Sequence, residues 1–139
     1  MKLITFISAG AFILFSAFVM KKENIKQATP LYDTKWTLNK IHTEAGVEEV
    51  LTKAFIKFNR EKKSAGGNGS CNSFGSDFSI GNDKISFKNI FSTKMYCDGV
   101  QQTEDAFFRQ LGKVNRFEVK DKKLLLYQDK DVLLEFVSE

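Results

Sequence analysis

From residue 36 onward, apolar side chains recur at about every second position along most of the chain, the spacing of strands with one buried face. Residues 36–41 (WTLNKI) carry Trp36, Leu38 and Ile41, a strand whose alternation breaks at Ile41. Residues 54–59 put Ala54, Ile56 and Phe58 on one face, and residues 72–80 do the same with Phe74, Phe78 and Ile80. Between these runs, HTEAGVEEV (42–50) reads as a hairpin loop around Gly46, and REKKSAGGN as a polar stretch with a short strand before its glycines. Gly75 marks a bend or bulge. In residues 84–91, Ile85 and Phe87 alternate, and Ile90–Phe91 then shift phase, which predicts a bulge or a strand end. Near the C-terminal end, Phe117 and Val119 alternate, whereas Leu124–Tyr127 and Val132–Val137 are apolar on both faces. Short charged turns separate these last runs, so they form an antiparallel meander.

One segment changes period. Val100, Phe107, Leu111 and Val114 form a stripe at helical spacing, which predicts a core-facing helix over about 99–111. Asp98 and Gln101 stand at capping-box spacing before it, and Gly112 follows as a C-cap. The expected fold is mainly β (α+β): seven to eight antiparallel strands in a curled sheet or small barrel, with one helix packed on it.

The first residues do not belong to that pattern. Lys2 precedes an uncharged apolar run from Leu3 to Met20, and Lys21–Lys22 end it. Residues 1–22 therefore read as a signal peptide or an N-terminal membrane anchor, with cleavage and retention both open. Residues 23–32 form a linker, and 33–139 the domain. The reading implies an exported protein of the periplasm or cell envelope. Hydrophobic content of 42% and aromatic content of 13% are enough for a core and exclude a disordered chain. The net charge of +4 is a mild excess, with lysines and acids interspersed as in KDKK (120–123), so the lysines read as a solvated surface and no nucleic-acid binding is expected.

Cys71 and Cys97 are the two cysteines. Export favours a disulfide between them. Free buried thiols, metal binding and redox chemistry compete with that reading, but the spacing is not C-x-x-C and a structural zinc site needs more ligands. No cofactor or metal is called. His42 reads as a surface histidine, and the carboxylate pairs Glu48–Glu49 and Glu104–Asp105 as solvated. A hydrolase triad through His42 lacks a G-x-S-x-G elbow. The stretch GGNGSCNSFGSDF (66–78) lacks the Lys-Ser/Thr of a phosphate loop. It reads as a sharp turn whose glycines supply positive φ, with Asn72 satisfying backbone groups and Cys71 fastening the turn to the start of the helix. Asn68-Gly69-Ser70 also matches the N-glycosylation triplet.

Several of these motifs recur together in one known family. A Trp-led strand (WTL), a strand ending in IKFN, GNGSCNSF, an I-x-F…S-T-K-M-x-C segment over 85–97, a helix with E-x-x-F-x-x-x-L and closing LLLY and LLEF strands resemble the META domain family, which includes heat-shock protein HslJ-like exported proteins. The resemblance covers about residues 33–137. It implies a small, mostly β domain with one helix, an exported and stress-related setting, and no catalytic residues. It also implies that Trp36, Gly69, Asn72, Phe74, Thr93, Met95, Glu104, Phe107 and Leu111, with Cys71 and Cys97, define the fold. The expected function is non-enzymatic binding, as a monomer, of an envelope protein or component. A small-ligand or lipid-binding barrel is the alternative, suggested by the many phenylalanines.

Overall fold

The computed structural model describes residues 29–139; the apolar run, Lys21–Lys22 and the first part of the linker lie outside them. Nine strands and one helix follow in the order β1 (Trp36–Thr43), β2 (Gly46–Glu49), β3 (Phe55–Asn59), β4 (Ser64–Asn68), β5 (Ser73–Gly81), β6 (Lys84–Ser92), α1 (Gln101–Leu111), β7 (Arg116–Lys120), β8 (Lys123–Gln128) and β9 (Asp131–Ser138). All pairings are antiparallel, and β9 pairs back onto β1, so the sheet closes into a barrel.

The expected fold class stands, with nine strands in place of seven to eight, and the additional strand has an identifiable origin. The polar excursion after Ile41 is paired: β1 runs on to Thr43 and turns back into β2 with Thr43 opposite Gly46. β2 and β3 lie end to end along one edge of β1, which pairs β2 through Lys40–Thr43 and β3 through Trp36–Thr37. Between them, Val50 donates to the Asn39 carbonyl and Leu38 to that of Ala54, so the ladder continues while Leu51 is thrust into solvent.

The short strand expected before the glycines, β4, instead runs through them. Gly66 and Gly67 were expected in a turn, yet both lie inside β4, paired with Gly75 and Phe74 of β5 and with Lys57 and Ile56 of β3. None of Gly66, Gly67, Gly69 and Gly75 has positive φ. They are glycines for clearance. A Cβ on Gly66 would stand 2.8 Å from the Phe74 carbonyl oxygen, and one on Gly67 would overlap that of Phe55. The Gly75 bulge falls on the opposite strand: between the pairs Gly75–Phe91 and Asp77–Lys88, β6 carries one residue more than β5, with Asn89 at φ 52°. The phase shift at Ile90–Phe91 is this bulge.

The interior is filled by side chains from the strands and from α1. Trp36, Ile41, Ile56, Phe107, Leu111 and Phe136 are wholly withdrawn from solvent. The Trp36 indole N–H donates to the Leu31 carbonyl at 2.9 Å, which satisfies its polar atom in the core. Phe107 meets Phe74 and Phe136 edge-on, at ring separations of 5.4 and 6.2 Å. Phe107, Leu111 and Val114 of the predicted stripe are buried, as expected, and Val100 is half-buried.

The capping prediction fails. α1 begins at Gln101 with Val100 as N-cap and no side-chain cap, and Asp98 lies two residues before that cap. Gln101 instead donates to Asp105 at 3.0 Å, one turn on. Gly112 is the C-cap but stays right-handed at φ −67°, its N–H bonded to the Phe108 carbonyl.

Strand direction sorts the connections onto two ends. One end holds the β1–β2, β4–β5 and β8–β9 turns together with α1. The other holds the start of β1, the β3–β4, β5–β6 and β7–β8 turns and the end of β9. No helix among the described residues is long and apolar enough to cross a membrane.

Candidate functional site

At the helix end, three segments far apart in sequence meet at one buried carboxylate. Glu104 sits in the first turn of α1 and is 1% exposed, against the expectation that it was solvated; its neighbour Asp105 is exposed as expected. An ionised carboxylate away from water needs a donor for each oxygen. The β4–β5 turn supplies them. The backbone N–H groups of Cys71 and Asn72 donate to Oε2 at 2.8 and 2.7 Å, and Asn72 Nδ2 donates to Oε1 at 2.6 Å.

Asn72 passes the connection on to the segment after β6. Its Oδ1 accepts from Thr93 Oγ1 and from the Met95 N–H, both at 2.8 Å, and its Nδ2 also donates to the Met95 carbonyl at 2.9 Å. Both donor hydrogens and both acceptor sites of this 3%-exposed amide are used. Asn72 was expected to satisfy backbone groups of its own turn; its side chain instead satisfies the N–H and carbonyl of Met95 in β6's continuation, while the turn's Cys71 and Asn72 N–H groups are taken by Glu104. The Cys71–Cys97 disulfide closes the same triangle, at a Cα separation of 5.8 Å that suits such a bond.

The turn is shaped to admit the carboxylate. Gly69 is buried, and a Cβ there would come within 2.6 Å of Phe108 Cζ and 2.9 Å of Glu104 Oε2. Its N–H is bonded to the Asn72 carbonyl at 2.8 Å, while Ser70 takes the left-handed backbone, at φ 131°. Asn68 Oδ1 accepts the Ser70 N–H, and the Ser70 hydroxyl reaches Thr52 at 2.8 Å. The glycosylation triplet therefore has its asparagine side chain turned into the turn.

The motif residues divide between this corner and the core beneath it. Gly69, Cys71, Asn72, Thr93, Met95, Cys97 and Glu104 form the corner, Met95 through its backbone, with its side chain 60% exposed. Phe74, Phe107 and Leu111 lie below it in the core, and Trp36 stands in the core at the start of β1. Phe74 packs edge-on against both Phe107 and Phe108.

Beside the corner, an open depression of about 380 Å³ runs between residues 92–96 and the helix face of Gln101, Asp105 and Phe108. Tyr96 and Phe91 stand exposed on the same segment, at 76% and 69%. The β1–β2 hairpin borders the helix, with Thr103 donating to Glu48 at 2.9 Å and Gln110 to the His42 carbonyl. His42 is half-buried within β1, its Nε2 2.7 Å from Glu135, rather than free at the surface. Among the described residues, no three His, Cys, Asp or Glu side chains are grouped to hold a metal ion.

Comparison with known proteins agrees with this architecture. The family model described as the META domain matches residues 29–139. An NMR structure of a protein from Burkholderia xenovorans superposes with a TM-score of 0.66 at 22% identity, covering 78% of this chain and 83% of that one. A second NMR structure gives 0.55 at 19% identity, covering 75% and 88%. Both likenesses are of fold. No curated protein matches the sequence.

Proposed function

The chain belongs to the META domain family, and from that premise we propose that it is a non-enzymatic, exported protein of the cell envelope that binds an envelope protein or component. The observation that carries the reading is the corner. Both oxygens of its buried carboxylate and every hydrogen and acceptor site of its amide are engaged in holding the helix to two segments of chain, and the one acceptor position left on Glu104 Oε1 is shut away from solvent. A base or nucleophile needs an unengaged lone pair facing its substrate. The disulfide supports export, since such bonds persist in oxidising compartments. The stress-related role rests on the family resemblance.

The binding face of this reading is the rim that the corner holds in place. Met95 and Tyr96 are exposed on the segment after β6, and Phe91 near the end of β6; the segment's backbone is fixed by the Thr93 N–H bond to Ser73 and the Met95 bonds to Asn72. Fixing a loop before binding lowers the ordering cost of association. The alternative of an enclosed ligand would require displacing Trp36, Phe107 and Phe136 from the interior.

Cell fractionation with a photo-crosslinking residue at Tyr96 tests the proposal. The protein should be found oxidised in the envelope fraction and should trap a discrete adduct there, which a probe at Lys57, exposed on the barrel wall in β3, does not. A hydrolytic activity that survives purification and disappears on a single substitution would sink the non-enzymatic reading.

A further inference from the structure

The end of the barrel opposite the helix carries the protein's concentrated positive charge. In sequence the lysines look interspersed with acids, but folding brings two basic turns to one end. The β3–β4 turn presents Arg60, Lys62 and Lys63, and the β7–β8 turn with its flanks presents Lys120, Lys122 and Lys123. All six are exposed; Glu61 and Asp121 accompany them within those turns, and Asp33, Asp83 and Glu139 stand at the same end with Lys35 and Lys84, so cations remain in excess there. Among the described residues, none of the six lies within ion-pair distance of an acid. Arg60 stacks on the Tyr32 ring at 4.3 Å, which holds its guanidinium at the surface without neutralising it.

The chain also enters the domain here. Thr29 donates to the Asp121 carbonyl, inside one of the two basic turns, and Tyr32 lies against the other. Upstream, residues 21–28 separate this point from the apolar run Leu3–Met20 and begin with Lys21–Lys22. Eight residues can span at most about 28 Å. The opposite end has the other sign around the start of the helix, where Glu44, Glu48, Glu49, Asp98 and Asp105 are exposed and outnumber the exposed Lys94.

We propose that the barrel end bearing Arg60, Lys62, Lys63, Lys120, Lys122 and Lys123 docks on an anionic phospholipid surface, leaving the helix end facing away. Clustered lysines next to an apolar segment attract acidic headgroups, and the attraction fades within a Debye length. The acidic helix end would be repelled from the same surface, so the charge asymmetry sets orientation as well as attraction. A lipid surface is favoured over a nucleic acid because the basic turns surround the point from which the chain leads to the apolar run. The choice of lipid rests on the envelope reading above; fractionation tests that reading, and orientation on a bilayer tests the docking face, so the two can fail separately.

The full chain is placed in nanodiscs of phosphatidylcholine with or without phosphatidylglycerol, with a gadolinium-chelating headgroup lipid added. Amide NMR signals then report which end lies close to the bilayer. With phosphatidylglycerol, residues 60–63 and 120–123 should be broadened at least about threefold more than residues 44–49. The contrast should disappear without the anionic lipid, near 1 M salt, and in K62E/K63E/K122E/K123E. Equal broadening at both ends, or a contrast indifferent to lipid charge, overturns the proposal. Displacement by single-stranded DNA at equal charge concentration overturns it too, since the end would then be a general polyanion site.

Discussion

Glu104→Gln is the most discriminating single change in the corner, because it alters one atom and no volume. A glutamine keeps one acceptor oxygen and presents an NH₂ in place of the other. If the oxygen faces the Cys71 and Asn72 amides, the NH₂ meets Asn72 Nδ2, donor against donor. Asn72 cannot turn over to relieve this, since its Oδ1 already accepts from Thr93 and Met95. The opposite orientation opposes two backbone N–H groups instead. Each buried donor left unpaired costs about 1–3 kcal/mol, and the remaining bonds lose the strength that a charged acceptor gives them. The expected destabilisation is about 2–4 kcal/mol, or roughly 10–20 °C in Tm for a domain of this size. Urea unfolding with the disulfide verified by intact mass measures it, and an unchanged m-value would show that the denatured state was not altered. Glu104→Gln and Asn72→Ala should also be strongly non-additive, because each breaks the same network. A Glu104→Gln protein within about 0.5 kcal/mol of the parent would falsify the claim that the carboxylate holds the corner.

Reducing the Cys71–Cys97 bond should lower stability by about 3.5 kcal/mol, the chain-entropy value for a loop of roughly 27 residues, read from denaturation with and without reductant. In the untreated protein, intact mass should show two hydrogens fewer than the reduced form; two alkylatable thiols would contradict the bond. Gly67→Ala should cost about 3 kcal/mol or more, because its Cβ overlaps the Phe55 carbonyl, whereas Gly81→Ala, with open space and no positive φ, should be neutral or gain up to about 1 kcal/mol. Tyr127 should ionise above its ordinary 10.0, owing first to burial and then to its 3.0 Å bond to Glu118 and that residue's negative charge. Its folded pKa is raised, so its contribution to stability is complete below pH 10.0 and is lost as pH rises through the folded value; ultraviolet titration, with Tyr127→Phe as reference, locates the midpoint.

What could be read from the sequence was mostly what depends on local period. The strands around Trp36, Ile56, Phe78 and Ile85 and the helical stripe at Phe107 and Leu111 all follow from spacing. The Ile90–Phe91 phase shift likewise corresponds to one extra residue in β6. The errors concern contacts that only the folded chain creates. Glu104 lies on a polar stretch of the sequence and so reads as solvated, yet Glu104, Phe107 and Leu111 stand at i, i+3 and i+7. The buried stripe, extended one turn back, lands on the carboxylate. A charged residue on an otherwise apolar face was the available signal for a buried, paired acid. The glycines were misread for a related reason. Gly66 and Gly67 are needed by the carbonyls of Phe74 and Phe55 on neighbouring strands, and a turn prediction considers only residues nearby in sequence.

The placement of the corner follows from where the sheet is weakest. β5 and β6 pair over most of their length, and β8 and β9 likewise, but β6 meets β7 at a single pair, Lys84–Arg116. That seam exists because the chain leaves β6 to build α1 before returning as β7, so the helix has to complete the enclosure that the ladder does not. Two backbone bonds flank the one pair, from the Ile85 N–H to the Asn115 carbonyl at 3.3 Å and from the Phe117 N–H to that of Asp83 at 2.8 Å, and both lie at the far end of β6. At the other end of β6, beyond Ser92, the path is fixed by the Thr93 bond to Ser73, the Asn72 side chain and the disulfide. A carboxylate from the helix then joins that end to the β4–β5 turn. Apolar packing of Phe107 and Leu111 would favour a buried helix but allow it to slide, since such contacts are non-directional. Three hydrogen bonds to one carboxylate and four to one amide admit a single register. Gly69, Cys71, Asn72, Thr93, Cys97 and Glu104 thus meet where strand pairing leaves the position of the helix open.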